Sequence, residues 1–235
     1  MDTPGERAAR EELERRVEST TRIVLRPLAG PLALGFLGLA AATFVRAGLE
    51  LGWVEPAEGK KVALIAIAFT VPLQFTASII GFLARDGVAG TGMGLLSGIW
   101  LALGLVTYTS PPGSTSDALG LFLVVAAVAM WIPAGSAALS KLVPALVLGT
   151  AGLRFFVTGV YQLTGVHGWE DAAGVIGLAL AVLAVYAALA TELEDVLKRT
   201  VLPLGRRGKG AQALNGVLYD QVAQVQKEPG VRLQL

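Results

Sequence analysis

The sequence predicts an all-α polytopic membrane protein with six transmembrane helices. Three observations predict it. Hydrophobic residues make up 54% of the chain and charged residues only 16%, a balance far from that of a soluble domain. The apolar residues are gathered into runs divided by short polar breaks, and about 20 such residues at 1.5 Å rise cross a bilayer core of about 30 Å. Strand-period alternation is absent, which argues against a membrane β-barrel.

Residues 1–29 are expected to be a cytosolic lead-in. Within it, 5–22 read as a charged surface helix, with i, i+4 pairs Glu11–Arg15, Glu12–Arg16 and Glu18–Arg22 beside a thin apolar stripe of Ala9, Leu13 and Val17. This stretch lacks an apolar core, so no cleavable signal peptide is expected and the first span serves as the insertion signal. The transmembrane domain covers 30–205, with spans Gly30–Leu51, Val62–Ala84, Met93–Thr109, Ala118–Leu139, Leu142–Leu163 and Ala172–Ala190. Pro72 and Pro133 fall inside the second and fourth, where a missing backbone donor kinks a helix and frees a carbonyl. Gly94-x-x-x-Gly98 and Gly149-x-x-Gly152 permit close helix approach in lipid. Residues 206–235 form a cytosolic tail. It starts in a flexible basic stretch, which fixes topology or meets anionic headgroups, and continues as a short amphipathic helix over 211–226 with Leu214, Leu218, Val222 and Val225 on one face.

The 19 Lys and Arg residues are unevenly placed. Fifteen lie before the first span, after the last, or in the loops holding Arg85 and Lys141, all on one side of a six-span bundle; the other side has only Lys60 and Lys61. The positive-inside rule then places both termini in the cytoplasm, and the cell membrane is the expected location. The two remaining cations, Arg46 and Arg154, lie within spans.

Enzyme chemistry finds little footing, and no catalytic residue, metal site or cofactor is expected. There is no cysteine, which removes disulfides, thiol catalysis and thiolate metal sites. The single histidine, His167, is expected in an external loop near Glu170 and Asp171, too little for a metal array. No span holds a carboxylate near its centre, so an aspartyl protease or a relay of central acids is excluded. The basic stretches have no interleaved aromatics, which leaves nucleic-acid binding unsupported. What remains is a handful of polar groups in apolar spans. Arg46 is four residues from Glu50 and can pair with it locally. Arg154 has no acid within one helical turn and should face protein or water, either as a helix-packing cation or as part of a vestibule that attracts anions. Gln74 can bond across helices or line a path, and Trp100, Thr107 and Tyr108 follow in the third span.

Several segments resemble the acetate uptake transporter family. The best match is Lys198-Arg199-Thr200-Val201-Leu202-Pro203-Leu204-Gly205, where the family has Gly-Arg-Thr-Val-Leu-Pro-Ile/Leu-Gly. Gly168-Trp169, Gln74 followed by Ala77-Ser78, and Trp100 at the family's spacing from that glutamine also match. The family opens its first span with Asn-Pro-Ala-Pro-Leu-Gly-Leu; here Leu28-Ala29-Gly30-Pro31-Leu32-Ala33-Leu34 keeps Pro31, Leu32 and Leu34 but not the Asn-Pro pair. A family tyrosine in the third span becomes Leu96, and a phenylalanine at the narrow point becomes Leu37, with Phe36 adjacent. The resemblance implies a pore within each subunit of a homohexamer, narrowed here by Leu34, Leu37 and Leu96. It implies a transporter or channel for acetate or similar small monocarboxylates, with or without proton coupling. A narrow apolar pore equally suits small neutral solutes such as urea, short amides or ammonia. A membrane scaffold whose charged tails recruit partners is the reading from a third class.

Overall fold

The computed structural model describes residues 28–208, with single positions 5, 12, 210 and 211 beyond them. The surface helix expected over 5–22 and the tail helix over 211–226 fall, but for those positions, outside the described residues. Leu28–Gly208 is a compact unit of its own. It contains six helices long and apolar enough to cross a membrane: α1 (Leu32–Glu50), α2 (Pro56–Leu83), α3 (Gly87–Thr109), α4 (Asp117–Ala138), α5 (Leu142–Thr164) and α6 (His167–Leu197).

The helices run further than their apolar stretches wherever local chemistry allows. α3 starts at Gly87 because the Asp86 side chain accepts from the backbone N–H of Ala89 (2.9 Å), satisfying one orphan donor of the first turn. Ser116 does the same for α4, accepting from Leu119 N–H at 3.3 Å. α6 takes in Glu170 and Asp171 at one end and Glu192, Glu194 and Asp195 at the other, so its polar ends pass beyond the apolar middle. His167, expected in a loop, is the first residue of that helix. The turn that precedes it closes on Gly165, whose φ of +66° is ordinary for glycine.

The two prolines are accommodated differently. α2 widens into a π turn over Ala66–Thr70 just before Pro72, which absorbs the lost N–H within the helix. α4 continues through Pro133 as unbroken α-helix.

Each helix packs on its chain neighbours, and α6 closes the circuit on α1. The α4–α5, α1–α6 and α2–α3 pairings are the most extensive. Close approach depends on small residues. A Cβ on Gly152 would lie 2.6 Å from Trp131 Nε1, and one on Gly94 2.8 Å from Ser78 Oγ. A Cβ on either motif partner, Gly98 or Gly149, would meet nothing within 4 Å, so close approach within the chain needs only one glycine of each expected pair. The interior is lined by side chains exposed by 2% or less, among them Phe36, Met93, Leu96, Trp100, Leu123 and Phe155. The outer surface is apolar all round, as lipid requires, with Phe44, Phe75, Leu121 and Val182 each more than half exposed.

The chain after α6 returns across the end of the bundle where α1 begins. Lys198 adopts a left-handed conformation (φ +53°) and ends the helix. The Glu194 carboxylate then accepts from Thr200 Oγ1 (3.2 Å) and from the Arg206 guanidinium, and Tyr186 donates to the Pro203 carbonyl at 3.0 Å. The carbonyls of Leu204 and Gly205 receive the first N–H groups of α5, from Val143 and Leu142, each at 3.1 Å. This strap, residues 199–208, therefore caps α5. The segment that carried the strongest sequence resemblance has that mechanical reason for its composition.

Candidate functional site

Two cavities open at opposite ends of the ring of helices. The smaller, about 30 Å³, lies at the end shared by the strap and is lined by Phe36, Asp86, Met93, Lys141, Pro144 and Leu148. Lys141 Nζ stands 3.9 Å from Asp86 Oδ2 across it. Burial pushes the Lys141 ammonium below its usual range, and the Asp86 charge partly offsets that. The larger cavity, about 160 Å³, lies at the other end and is lined by Arg46, Lys60, Thr107, Gln162, His167 and Glu170 among others. It is roomy against the roughly 10–15 Å³ that one water needs. His167 Nδ1 and Glu170 Oε2 pair at its rim, 3.1 Å apart.

Between the cavities the interior is closed by apolar side chains. Leu96 is fully buried and Trp100 is 1% exposed, packed edge-on against Phe155 with ring centroids 5.9 Å apart. Among the polar groups buried there, two side chains stand apart. Both amide atoms of Gln74 and the indole Nε1 of Trp100 are buried without a hydrogen-bond partner among the described residues. An unmet buried polar group costs about 1–3 kcal/mol, so three unpartnered atoms in a small bundle call for a reason.

Arg154 is the largest departure from expectation. No acid lies within one helical turn of it, and the sequence leaves open a helix-packing cation or a water-facing vestibule that attracts anions. The fold supplies one from α1: Arg154 Nη2 donates to Glu50 Oε2 at 2.8 Å. Nη1 donates to Thr43 Oγ1 (2.5 Å) and Nε to the Ala173 carbonyl (3.4 Å), while Cζ lies 5.6 Å from the Trp100 ring centroid. The side chain is 1% exposed and does not line the larger cavity, so it faces protein rather than water. Gly177 makes the room, since a Cβ there would sit 2.8 Å from Arg154 Nε. The other oxygen of Glu50 accepts from Arg46 Nε at 3.0 Å, the local i, i+4 pair expected from the sequence. Arg46 Nη1 reaches Thr107 Oγ1 at 3.3 Å and the residue lines the larger cavity.

The remaining expected residues divide. Pro31 is buried beside the start of α1, and its carbonyl accepts from Gly35 N–H at 3.2 Å. Phe36 lines the smaller cavity; Leu34 is half-buried and borders neither. Leu37 is not on the interior face. It is 49% exposed beside the equally outward Phe44, because the inward stripe of α1 runs through Ala33, Phe36, Ala40, Thr43 and Ala47 at helical spacing and leaves residue 37 about 100° away. The inward place expected for Leu37 belongs to Phe36. Sequence reading missed Glu50, Thr43, Met93, Phe155 and the Asp86–Lys141 pair as members of these sites.

Six apolar helices in a closed circuit, each long enough to cross a membrane, define a multi-pass helical membrane protein. Residues 16–202 match the GPR1/FUN34/yaaH family, and the chain belongs to that family, the acetate transporter family its motifs resemble. No curated protein matches it by sequence. Among solved structures it is similar to the bacterial acetate channel SatP, with a TM-score of 0.68 at 23% identity over 76% of this chain and 100% of that one. That likeness shows the shared fold.

Proposed function

We propose that each subunit passes acetate or a similar small monocarboxylate along the axis of its helix ring. The observation that carries this reading is the trio of buried, unpartnered polar atoms on Gln74 and Trp100. Two of the three groups are N–H donors, and a carboxylate is acceptor-only when ionised, so donors waiting in a dry passage suit it. Family membership and the fold shared with an acetate channel support the same substrate class. An apolar lining disfavours a dianion, which favours monocarboxylates, and a solute that carries its own proton could cross without a relay of buried acids. We further propose that the working unit is a ring of six such subunits in the cell membrane with both termini cytoplasmic.

The test is flux of labelled acetate and of urea into proteoliposomes, with Gln74→Leu as the variant. A buried amide without partners destabilises the fold, so Gln74→Leu should raise the melting temperature while lowering acetate flux about tenfold or more. A variant that loses stability and flux together would make Gln74 a packing residue. Urea flux that exceeds acetate flux in the native protein would hand the site to small neutral solutes.

A further inference from the structure

We propose that Arg46 captures the carboxylate of a solute in the larger cavity, and that Glu50 and Arg154 hold it in the capturing pose. The inference rests on the reading of the chain as a path for small carboxylates, and it adds a binding site at one mouth. Three observations converge. First, charge is unbalanced: one carboxylate, Glu50, serves two guanidinium groups, through Oε1 to Arg46 (3.0 Å) and Oε2 to Arg154 (2.8 Å). All three residues are buried, at 7%, 7% and 1% exposure, so the surplus positive charge is weakly screened. Second, the two arginines are satisfied unequally. Arg154 uses Nε, Nη1 and Nη2 on Ala173, Thr43 and Glu50. Arg46 uses Nε on Glu50 and Nη1 on Thr107, and its Nη2 has no hydrogen bond among the described residues. Third, Arg46 is the member of the triad that lines the cavity. Gln162, also in the lining, spends its carbonyl on the Ser116 N–H (2.9 Å) and keeps its amide hydrogens as donors.

A guanidinium edge held rigid on one flank and open on the other fits the two oxygens of a carboxylate. Arg154 acts as a positioning residue: it takes the second Glu50 oxygen and leaves Arg46 with unspent donors. The other acid of the cavity, Glu170, is paired with His167 and does not fill this place.

The experiment uses the full chain in detergent and in vesicles. Binding of ¹³C-acetate is read from line broadening, and flux is measured as a function of acetate concentration. Arg46→Gln leaves the Arg154–Glu50 pair in place. It should weaken binding about tenfold, the loss expected for a charge-assisted hydrogen bond, and raise the half-saturating concentration equally with maximal flux within about twofold. Arg46→Lys, which keeps the charge without the fork, should fall between. Unchanged binding and half-saturation in Arg46→Gln overturn the proposal. If that variant fails to fold, Thr107→Val, which removes the hydrogen bond that holds the Arg46 guanidinium in its pose, should raise half-saturation several-fold, and no change overturns the proposal equally. The site and the path fail separately. Arg46-dependent binding without native acetate flux sinks the path and keeps the site. Flux whose concentration dependence ignores Arg46 sinks the site and keeps the path.

Discussion

Glu50 is the residue on which one mouth of the bundle depends, and it illustrates what spacing can and cannot reveal. Its pairing with Arg46 is an i, i+4 relation on one helix and was readable. Its pairing with Arg154 joins residues 104 positions apart, and no local pattern announces it. No acid lies within one turn of Arg154, so its partner is visible only in the fold, where the cost of a cation in a span is met by protein rather than by water. Breaking a buried ion pair by removing one member costs about 3–5 kcal/mol. Glu50→Gln leaves two buried guanidinium groups facing one neutral amide, whereas Arg46→Gln leaves a matched pair. The first should therefore depress the melting temperature well beyond the second in detergent; equal losses would mean that Glu50 does not hold both. A similar limit governs Leu37. Correspondence by motif put it at the constriction, but helical phase decides which side chain turns inward, and phase favours Phe36. Leu96, fully buried and in phase, is the better test of the apolar barrier. Leu96→Ser should increase leak of small solutes, because a dry constriction gates by excluding water. Unchanged permeation of every solute tested would remove Leu96 from the path.

At the scale of elements, the six spans were legible because bilayer thickness imposes a length on apolar runs and lipid tolerates no unpaired backbone. Their ends were not, since helices continue into charged residues once outside the apolar layer, as α6 does through Glu192, Glu194 and Asp195. Caps decided the rest: Asp86 started α3 six residues before the apolar stretch began. The strap shows the reverse case, a motif recognised before its purpose was visible. Within it Gly205 has φ of +64°, and a Cβ there would lie 2.6 Å from Leu142 Cβ. Gly205→Ala thus meets both a left-handed backbone and a clash with the first residue of α5. Strain of this kind is worth about 1–3 kcal/mol. The variant should lower the melting temperature by a corresponding amount and speed hydrogen exchange at Leu142 and Val143, whose N–H groups the strap receives. Normal exchange there would mean that the strap does not cap α5.

For the molecule as a whole, the proposed ring would divide the apolar exterior between lipid and neighbouring subunits, and small outward residues mark where another helix can come close. Gly98 on α3 and Gly135 on α4 have nothing within 4 Å of an added Cβ, so neither is needed for packing inside the subunit. In lipid, helix association depends on close van der Waals contact, which a large side chain at such a point prevents. If the ring proposal is right and α3 forms a seam, Gly98→Leu should leave the melting temperature of the subunit nearly unchanged and reduce the mass of the particle in mild detergent. An unaltered mass would move the seam off α3. A native protein that is a clean monomer and still carries acetate would refute the ring altogether. Orientation is tested in the same preparation by reporter fusions at residue 235 and in the loop around Gly113, which should report opposite sides of the membrane, the former cytoplasmic. The expectation follows from fifteen cations on one side of the bundle against two on the other, and the same side for both reporters would sink the six-span topology.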